Sequence, residues 1–230
     1  MRLAARILYG SQLFGTATPE SDFDYREILL PTPQEALGLK ELRTKERKGK
    51  NTETVELPWI TFVRLALKAN PSCLDLLWVG NEHLEKTSPA WERMRKSRYG
   101  FLSKEIYFRF RGYAIHEMKE MATKVADNGA KRNKEIEEHG YCLKKAIQTI
   151  RLLKTAGFFL LESVGDPFNN FRAELAGYRK NPLSLVAVTE TINFYLRELD
   201  EAFAASKLPD KPTGENVELI EEIMIEEILK

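Results

Sequence analysis

Residues 10–26 read GSQLFGTATPESDFDYR: a Gly-Ser pair, a second glycine at Gly15, then Asp22 and Asp24 one residue apart. Apolar residues lead into the stretch (Leu3, Ile7, Leu8, Tyr9) and surround the aspartates (Phe23, Tyr25, Ile28, Leu29, Leu30). The pattern predicts a strand, a Gly-Ser turn, a short helix or loop, and a second strand. Side chains at i and i+2 of a strand share a face, so Asp22 and Asp24 are expected to point the same way. Two carboxylates held side by side repel unless a cation lies between them. Oxygen-only donors of that kind suit a hard metal such as magnesium. The Gly-Ser turn adds bare backbone N–H groups and a hydroxyl, which is what a phosphate needs.

Downstream, residues 31–39 are turn-rich, and 40–50 (KELRTKERKGK) carry Lys40, Arg43, Lys45, Arg47, Lys48 and Lys50 with almost nothing apolar. That basic run reads as a solvated loop between strands, or as a flap against a polynucleotide backbone. ETVEL (53–57) reads as a strand with Glu53, Val55 and Leu57 on one face and Thr54 and Glu56 on the other. Pro58 is expected to open a helix carrying Trp59, Phe62, Val63, Ala66 and Leu67 at helical spacing. Asn70-Pro71 breaks it. A second helix is expected to follow, capped by Ser72, with Asp75 in its first turn complementing the dipole.

From about residue 88 the pattern is helical: 88–98, 104–125, 141–163, 171–180, 182–206 and an acidic amphipathic helix over 215–230, with polar connections over 127–140 and 207–214. The expected fold class is therefore α+β: a small mixed sheet with flanking helices over residues 1–85, and a helical domain over 86–230. With 230 residues, 43% hydrophobic and 30% charged, the chain can bury a core beneath a very ionic surface. Its formal net charge of +1 does not mark a nucleic-acid binder. Two cysteines, Cys73 and Cys142, suggest no disulfide scaffold, and three scattered histidines suggest no zinc site. No apolar run approaches the roughly 20 residues of a membrane span and no signal peptide is visible, so a cytoplasmic protein without a membrane partner is expected.

The Gly-Ser, the spacer of about ten residues and the hydrophobic-Asp-hydrophobic-Asp resemble the signature of the DNA polymerase beta-like nucleotidyltransferase superfamily. GSQLFGTATPESDFDYREI (10–28) resembles, more narrowly, a branch of nucleotidyltransferases associated with RNA repair in bacteria and phages. The likeness extends along the chain, through LPWITFVRLALKANPSCLDLLW (57–78), HGYCLKKAIQTIRLL (139–153), FRAELAGYRK (171–180) and KLPDKP (207–212). One departure is Gln148, where a histidine is frequent in the family.

The resemblance implies a carboxylate triad holding two magnesium (or manganese) ions about 3.5–4 Å apart, one activating the attacking hydroxyl and one gripping the triphosphate. Asp22 and Asp24 supply two carboxylates. Glu53 is expected to be the third, with Glu56 as the alternative on the opposite strand face. Gly10 and Ser11 are expected at the nucleotide's terminal phosphates. Lys144 and Arg151, seven residues apart and so on one helix face, are expected to neutralise the triphosphate across the cleft that the helical domain closes. Tyr141 is a candidate base-stacking residue or a core tyrosine. Arg93, Arg95, Lys96, Arg98 and Lys104, with Tyr99 and Phe101 interleaved, are a candidate RNA surface or a solvated helix face.

The function so implied is transfer of an NMP from an NTP (ATP or CTP) to a hydroxyl acceptor, an RNA end of the tRNA-like or broken kind, in bacterial or phage-infected cytosol. Two other readings stay open: a protein-modifying, antitoxin-like nucleotidyltransferase with the same site, and a non-catalytic nucleic-acid-binding module on the same fold. Intact Gly10, Ser11, Asp22 and Asp24 count against the last.

Overall fold

Leu3, Ile7, Leu8 and Tyr9 flank two small alanines in RLAARILY, and this segment is the inner strand β1 (Arg2–Tyr9), antiparallel to both neighbours, of the computed structural model, which describes residues 1–124 and 130–230. After β1 come a single turn α1 (Gly10–Leu13), β2 (Phe23–Leu30), α2 (Pro33–Leu37), β3 (Lys45–Lys48) and β4 (Thr52–Pro58). Next are α3 (Trp59–Leu67), α4 (Pro71–Leu74), 3-10 turns at Asp75–Trp78 and Asn81–His83, β5 (Leu84–Thr87), α5 (Pro89–Lys96) and a further 3-10 turn, Arg98–Phe101. The remainder is α6 (Glu105–Glu120), α7 (Ala130–His139), α8 (Leu143–Leu160), α9 (Pro167–Lys180), α10 (Leu185–Ala205) and α11 (Gly214–Leu229).

The sheet is mixed, in the order β3-β4-β2-β1-β5, and the fold class is α+β. β2 and β4 run parallel, whereas β1 pairs antiparallel with β2 and β5, and β3 with β4. One face is apolar over most of its length, with Ala5, Ile7, Ile28, Leu30 and Leu57 buried. Trp59, Phe62 and Trp91 join that core as a ring cluster, Phe62 and Trp91 having centroids 5.3 Å apart.

Several local expectations are corrected. The basic run 40–50 is not wholly a loop: Lys45–Lys48 pair with β4 as a fully exposed edge strand, a place where charged side chains discourage further pairing. Pro58 closes β4 and occupies the cap position of α3 rather than its first turn. Asn70, not Ser72, caps α4, because Pro71 takes the first helical position, where its missing N–H costs nothing. The polar connection expected over 127–140 is helical from Ala130, and its first three positions lie outside the described residues.

The chain forms two compact units, Met1–Ser103 with Pro209–Lys230, and Lys104–Leu208. This differs from a division at 85/86 in two ways. Residues 86–103 belong with the sheet because Trp91, Met94 and Phe101 are completely buried there. The last helix, α11, also belongs to the first unit: Arg93 bonds Glu226, and Arg2 donates to the Glu227 carbonyl at 2.8 Å. The second unit is built around α8, which is buried along most of its length and packs with α6, α9 and α10.

Candidate active site

At the end of β1 the backbone must turn sharply, and Gly10 does so at φ +62°, a left-handed conformation that glycine adopts without strain. A Cβ at that position would lie 2.0 Å from Asp24 Oδ2 and 2.8 Å from its Cγ. The Asp24 carboxylate therefore rests directly on bare backbone. Ser11 follows within α1 and is partly exposed, while Leu13 and Phe14 anchor the turn in the core. Gly15, at φ +70°, ends α1, and the Thr18–Ser21 turn closes the loop, with Thr18 N donating to Ser21 Oγ at 2.8 Å.

Strand register then lines up three residues. Tyr9 pairs with Asp24 across the antiparallel β1·β2 ladder, and Asp24 with Glu53 across the parallel β2·β4 ladder. Paired residues in a ladder project from the same face, so Tyr9, Asp24 and Glu53 form one row. Arg26 is in the next row on that face, its guanidinium 4.9 Å from the centre of the Tyr9 ring. The Tyr9 hydroxyl donates to Asp75 Oδ2 at 3.1 Å, and Asp75 is wholly buried. The Arg26 and Asp75 charges both bear on the Cys73 thiol in opposite senses, beneath a larger effect of burial that pushes the thiol up to about 12. Tyr9 and Arg26 are members of this site that the sequence did not single out, and Asp75 was expected only to complement a helix dipole. The available signal was an aspartate set inside the apolar run CLDLLWV, since a buried charge must be paired.

The opposite face holds a separate ion network. Arg6 bonds Glu27 and Glu85, and Arg47 bonds Glu27 at 2.8 Å and Glu56 at 3.0 Å. Glu56 is thus on the other side of the sheet from Asp24, engaged by Arg47. Asp22 falls one residue ahead of β2 and is exposed. Glu53 Oε2 lies 3.7 Å from Lys48 Nζ.

A divalent cation is implied by the family, and the donor chemistry here suits one. Asp24, Glu53 and Asp22 offer only hard oxygen ligands, and the missing Gly10 Cβ leaves the backbone open beside Asp24. Among the described residues, no three His, Cys, Asp or Glu side chains gather closely enough to hold a metal.

The remaining predicted residues divide between the two units. Tyr141, Lys144 and Arg151 are in the second unit. Lys144 is exposed on α8, and Arg151 is 1% exposed with its Nε donating to Gln148 Oε1 at 3.2 Å. Tyr141 precedes α8 and lies in the core: 2% exposed, its hydroxyl donates to the Leu183 carbonyl at 2.8 Å, and burial raises its pKa. It is committed there rather than offered to a base. In the basic cluster, Arg93 is held by Glu226 and Glu227, and Arg95 by Asn81 and the Val79 carbonyl. Lys104 belongs to the second unit, its Nζ 5.9 Å from the centre of the Phe203 ring. Lys96 and Arg98 make no ion pair with a described residue.

A glycine turn pressed against a strand carboxylate, with a second carboxylate beside it across a mixed sheet, is the frame of a nucleotidyltransferase of the polymerase beta class. The chain belongs to the RNA repair pathway DNA polymerase beta family (RlaP), whose model matches residues 2–226. It is similar to an uncharacterized 38.9 kDa protein of Enterobacteria phage T4, 32% identical over 114 residues that span 44% of this chain and 33% of that one. The match thus covers about a third of that relative's length. Among solved structures, a nucleotidyltransferase-like protein from Exiguobacterium sibiricum aligns over 88% of this chain and 69% of its own, at 10% identity and a TM-score of 0.31. That likeness is too slight to bear on the chemistry.

Proposed function

We propose that the protein transfers a nucleoside monophosphate from an NTP to a hydroxyl on an RNA end. The observation that carries this reading is the close approach of Asp24 to bare Gly10 backbone, with Glu53 beside it in register. In the reaction, the acceptor oxygen attacks the α-phosphorus and a new P–O bond forms. The bond from that phosphorus to the bridging oxygen breaks, and pyrophosphate leaves with the electron pair. The hydroxyl proton passes to a nearby base or to water. Asp24 and Glu53, with Asp22 from the flanking loop, are the residues to hold magnesium or manganese. When bound, the metal neutralises charge on the triphosphate and acidifies the attacking hydroxyl. Gly10 and Ser11 meet the phosphates: no Cβ keeps a ligand from the Gly10 amide, and the Ser11 hydroxyl bonds no described residue. Asp75, through Tyr9, fixes the floor of the row and orients it.

The test offers labelled ATP, CTP, GTP and UTP with magnesium to total RNA and to total protein. Label is expected in RNA, to be lost on chelation and reduced at least ~100-fold by Asp24→Asn, the scale of losing one electrostatic stabiliser. Label in protein alone would move the acceptor to a polypeptide. No transfer from any nucleotide would remove the enzymatic reading.

A further inference from the structure

Within the first unit, the C-terminal end of α5 and the following 3-10 turn border an open groove of about 340 Å³, lined by Asn81, Glu92, Arg95, Lys96, Arg98 and Tyr99. One of its cations is spoken for, as is a neighbour. Arg93, just outside, is held by Glu226 and Glu227, and Arg95 donates to Asn81 Oδ1 at 3.0 Å and to the Val79 carbonyl at 2.7 Å. Such contacts complete a helix C-terminus and need no ligand. Lys96 and Arg98 differ. Lys96 is exposed and pairs with no described residue. Arg98 lies 5.6 Å from the centre of the Trp78 ring and 5.5 Å from that of Tyr99, and its Nε is buried with no hydrogen-bond partner. Tyr99 stands edge-on to Trp78 and is 41% exposed. The groove therefore presents one cation without an ion pair, Lys96, and a second, Arg98, held over two rings with its Nε unbonded, beside a braced, half-open aromatic ring.

We propose that this groove binds a single-stranded polynucleotide, with Lys96 and Arg98 on its phosphates and one unstacked base against Tyr99. An acidic peptide would use the cations but leave the ring unused. A duplex would use the cations but hide its base faces. A single strand satisfies both, since every base has a face to stack and every linkage a phosphate. The inference rests on the transfer reaction above for its purpose, as the seat of the acceptor strand, and its binding is measured apart from turnover.

The experiment is fluorescence anisotropy of the full chain with labelled single-stranded RNA of about 12 nucleotides, the matching DNA and the RNA duplex. Lys96→Glu is expected to weaken single-strand binding at least ~5-fold and to lessen its salt dependence, as loss of a phosphate contact does. Tyr99→Ala is expected to weaken it by a similar ~5-fold factor with the salt dependence unchanged, as loss of a stacked base does. Both variants should melt with the wild type and keep its NTP affinity by calorimetry. Single-strand affinity unchanged in both variants overturns the proposal, as does preference for the duplex or for an acidic peptide. If no nucleotide is transferred by the wild type while Lys96→Glu loses strand affinity, the reaction falls and the groove stands. The opposite pattern removes the groove alone.

Discussion

At the scale of single residues, Gly10 carries two requirements that no other residue meets together. Its φ of +62° costs an L-residue roughly 1–2 kcal/mol, and a Cβ would enter the space of the Asp24 carboxylate at 2.0 Å. Gly10→Ala is therefore expected to lower stability by at least ~1 kcal/mol in denaturant unfolding. It should also displace Asp24, reducing nucleotide affinity further than the loss of stability accounts for. Wild-type stability in the variant would mean that this turn is softer than its geometry indicates. The pairing of Gly10 with Asp24 was legible in the sequence because both belong to one short stretch whose glycine and aspartate spacing is local. Asp75 was not, because the Tyr9–Asp75 hydrogen bond joins residues 66 apart and exists only once the chain has folded. Nor could sequence show that Tyr141 spends its hydroxyl on Leu183, 42 residues on.

At the scale of elements, the decisive quantity is register. Alternation within ETVEL separates Glu53 from Glu56 in any strand, but which glutamate faces Asp24 depends on how β4 aligns with β2. The ladder pairs Asp24 with Glu53 and Glu27 with Glu56, and Arg47 from β3 clasps the second pair. Glu53→Gln is expected to abolish nucleotidyl transfer while Glu56→Gln leaves most of it. The reverse would show that the carboxylate on the ion-network face is the working one. β2 starts at Phe23, so Asp22 stands one residue ahead of the strand. A second cluster, in the other unit, sets a pH window. Burial alone would raise the Glu174 carboxyl, but hydrogen bonds from Lys154, Tyr195 and Tyr178 outweigh it and hold the group below its usual range. Burial, then the Glu174 charge and hydrogen bond, push Tyr178 and Tyr195 well above the usual phenol value. A lowered carboxyl stabilises above its unfolded value and loses that contribution as pH falls through the folded one. Raised phenols stabilise below their unfolded value, near 10, and lose the contribution as pH rises beyond it. The second unit should therefore weaken at both ends, below about pH 4.5 and above about pH 10. The double variant Tyr178→Phe, Tyr195→Phe should flatten the alkaline limb of a melting-temperature profile. An unaltered limb would assign it to other groups.

At the scale of the whole molecule, the first unit is discontinuous in sequence, and the amphipathic pattern of α11 gave its helical state without giving its partner. A helix that follows five others in the chain is naturally grouped with them, yet Ile220, Ile223 and Ile228 are buried in the unit that contains the sheet. Polar contacts fix the same choice. Glu226 and Glu227 face Arg93 on α5, and Arg2 at the start of β1 reaches the Glu227 carbonyl. Burying three isoleucines contributes roughly 4–9 kcal/mol by transfer energies of about 1.5–3 kcal/mol each. That is comparable with the entire stability of an ordinary domain, about 5–15 kcal/mol. Removing residues 209–230 should accordingly unfold the first unit, although none of the proposed active-site residues is touched. Amide hydrogen exchange on the truncated chain distinguishes the two units: protection should be lost across β1, β2 and α5 and retained along α8 and α10. The charge variant Arg93→Glu, which opposes Glu226 and Glu227 without deleting the helix, should lower protection in the same elements to a smaller degree. Loss of protection confined to α6–α10 would place α11 with the helical unit after all, and retained protection in β1 would show that the sheet stands without its last helix.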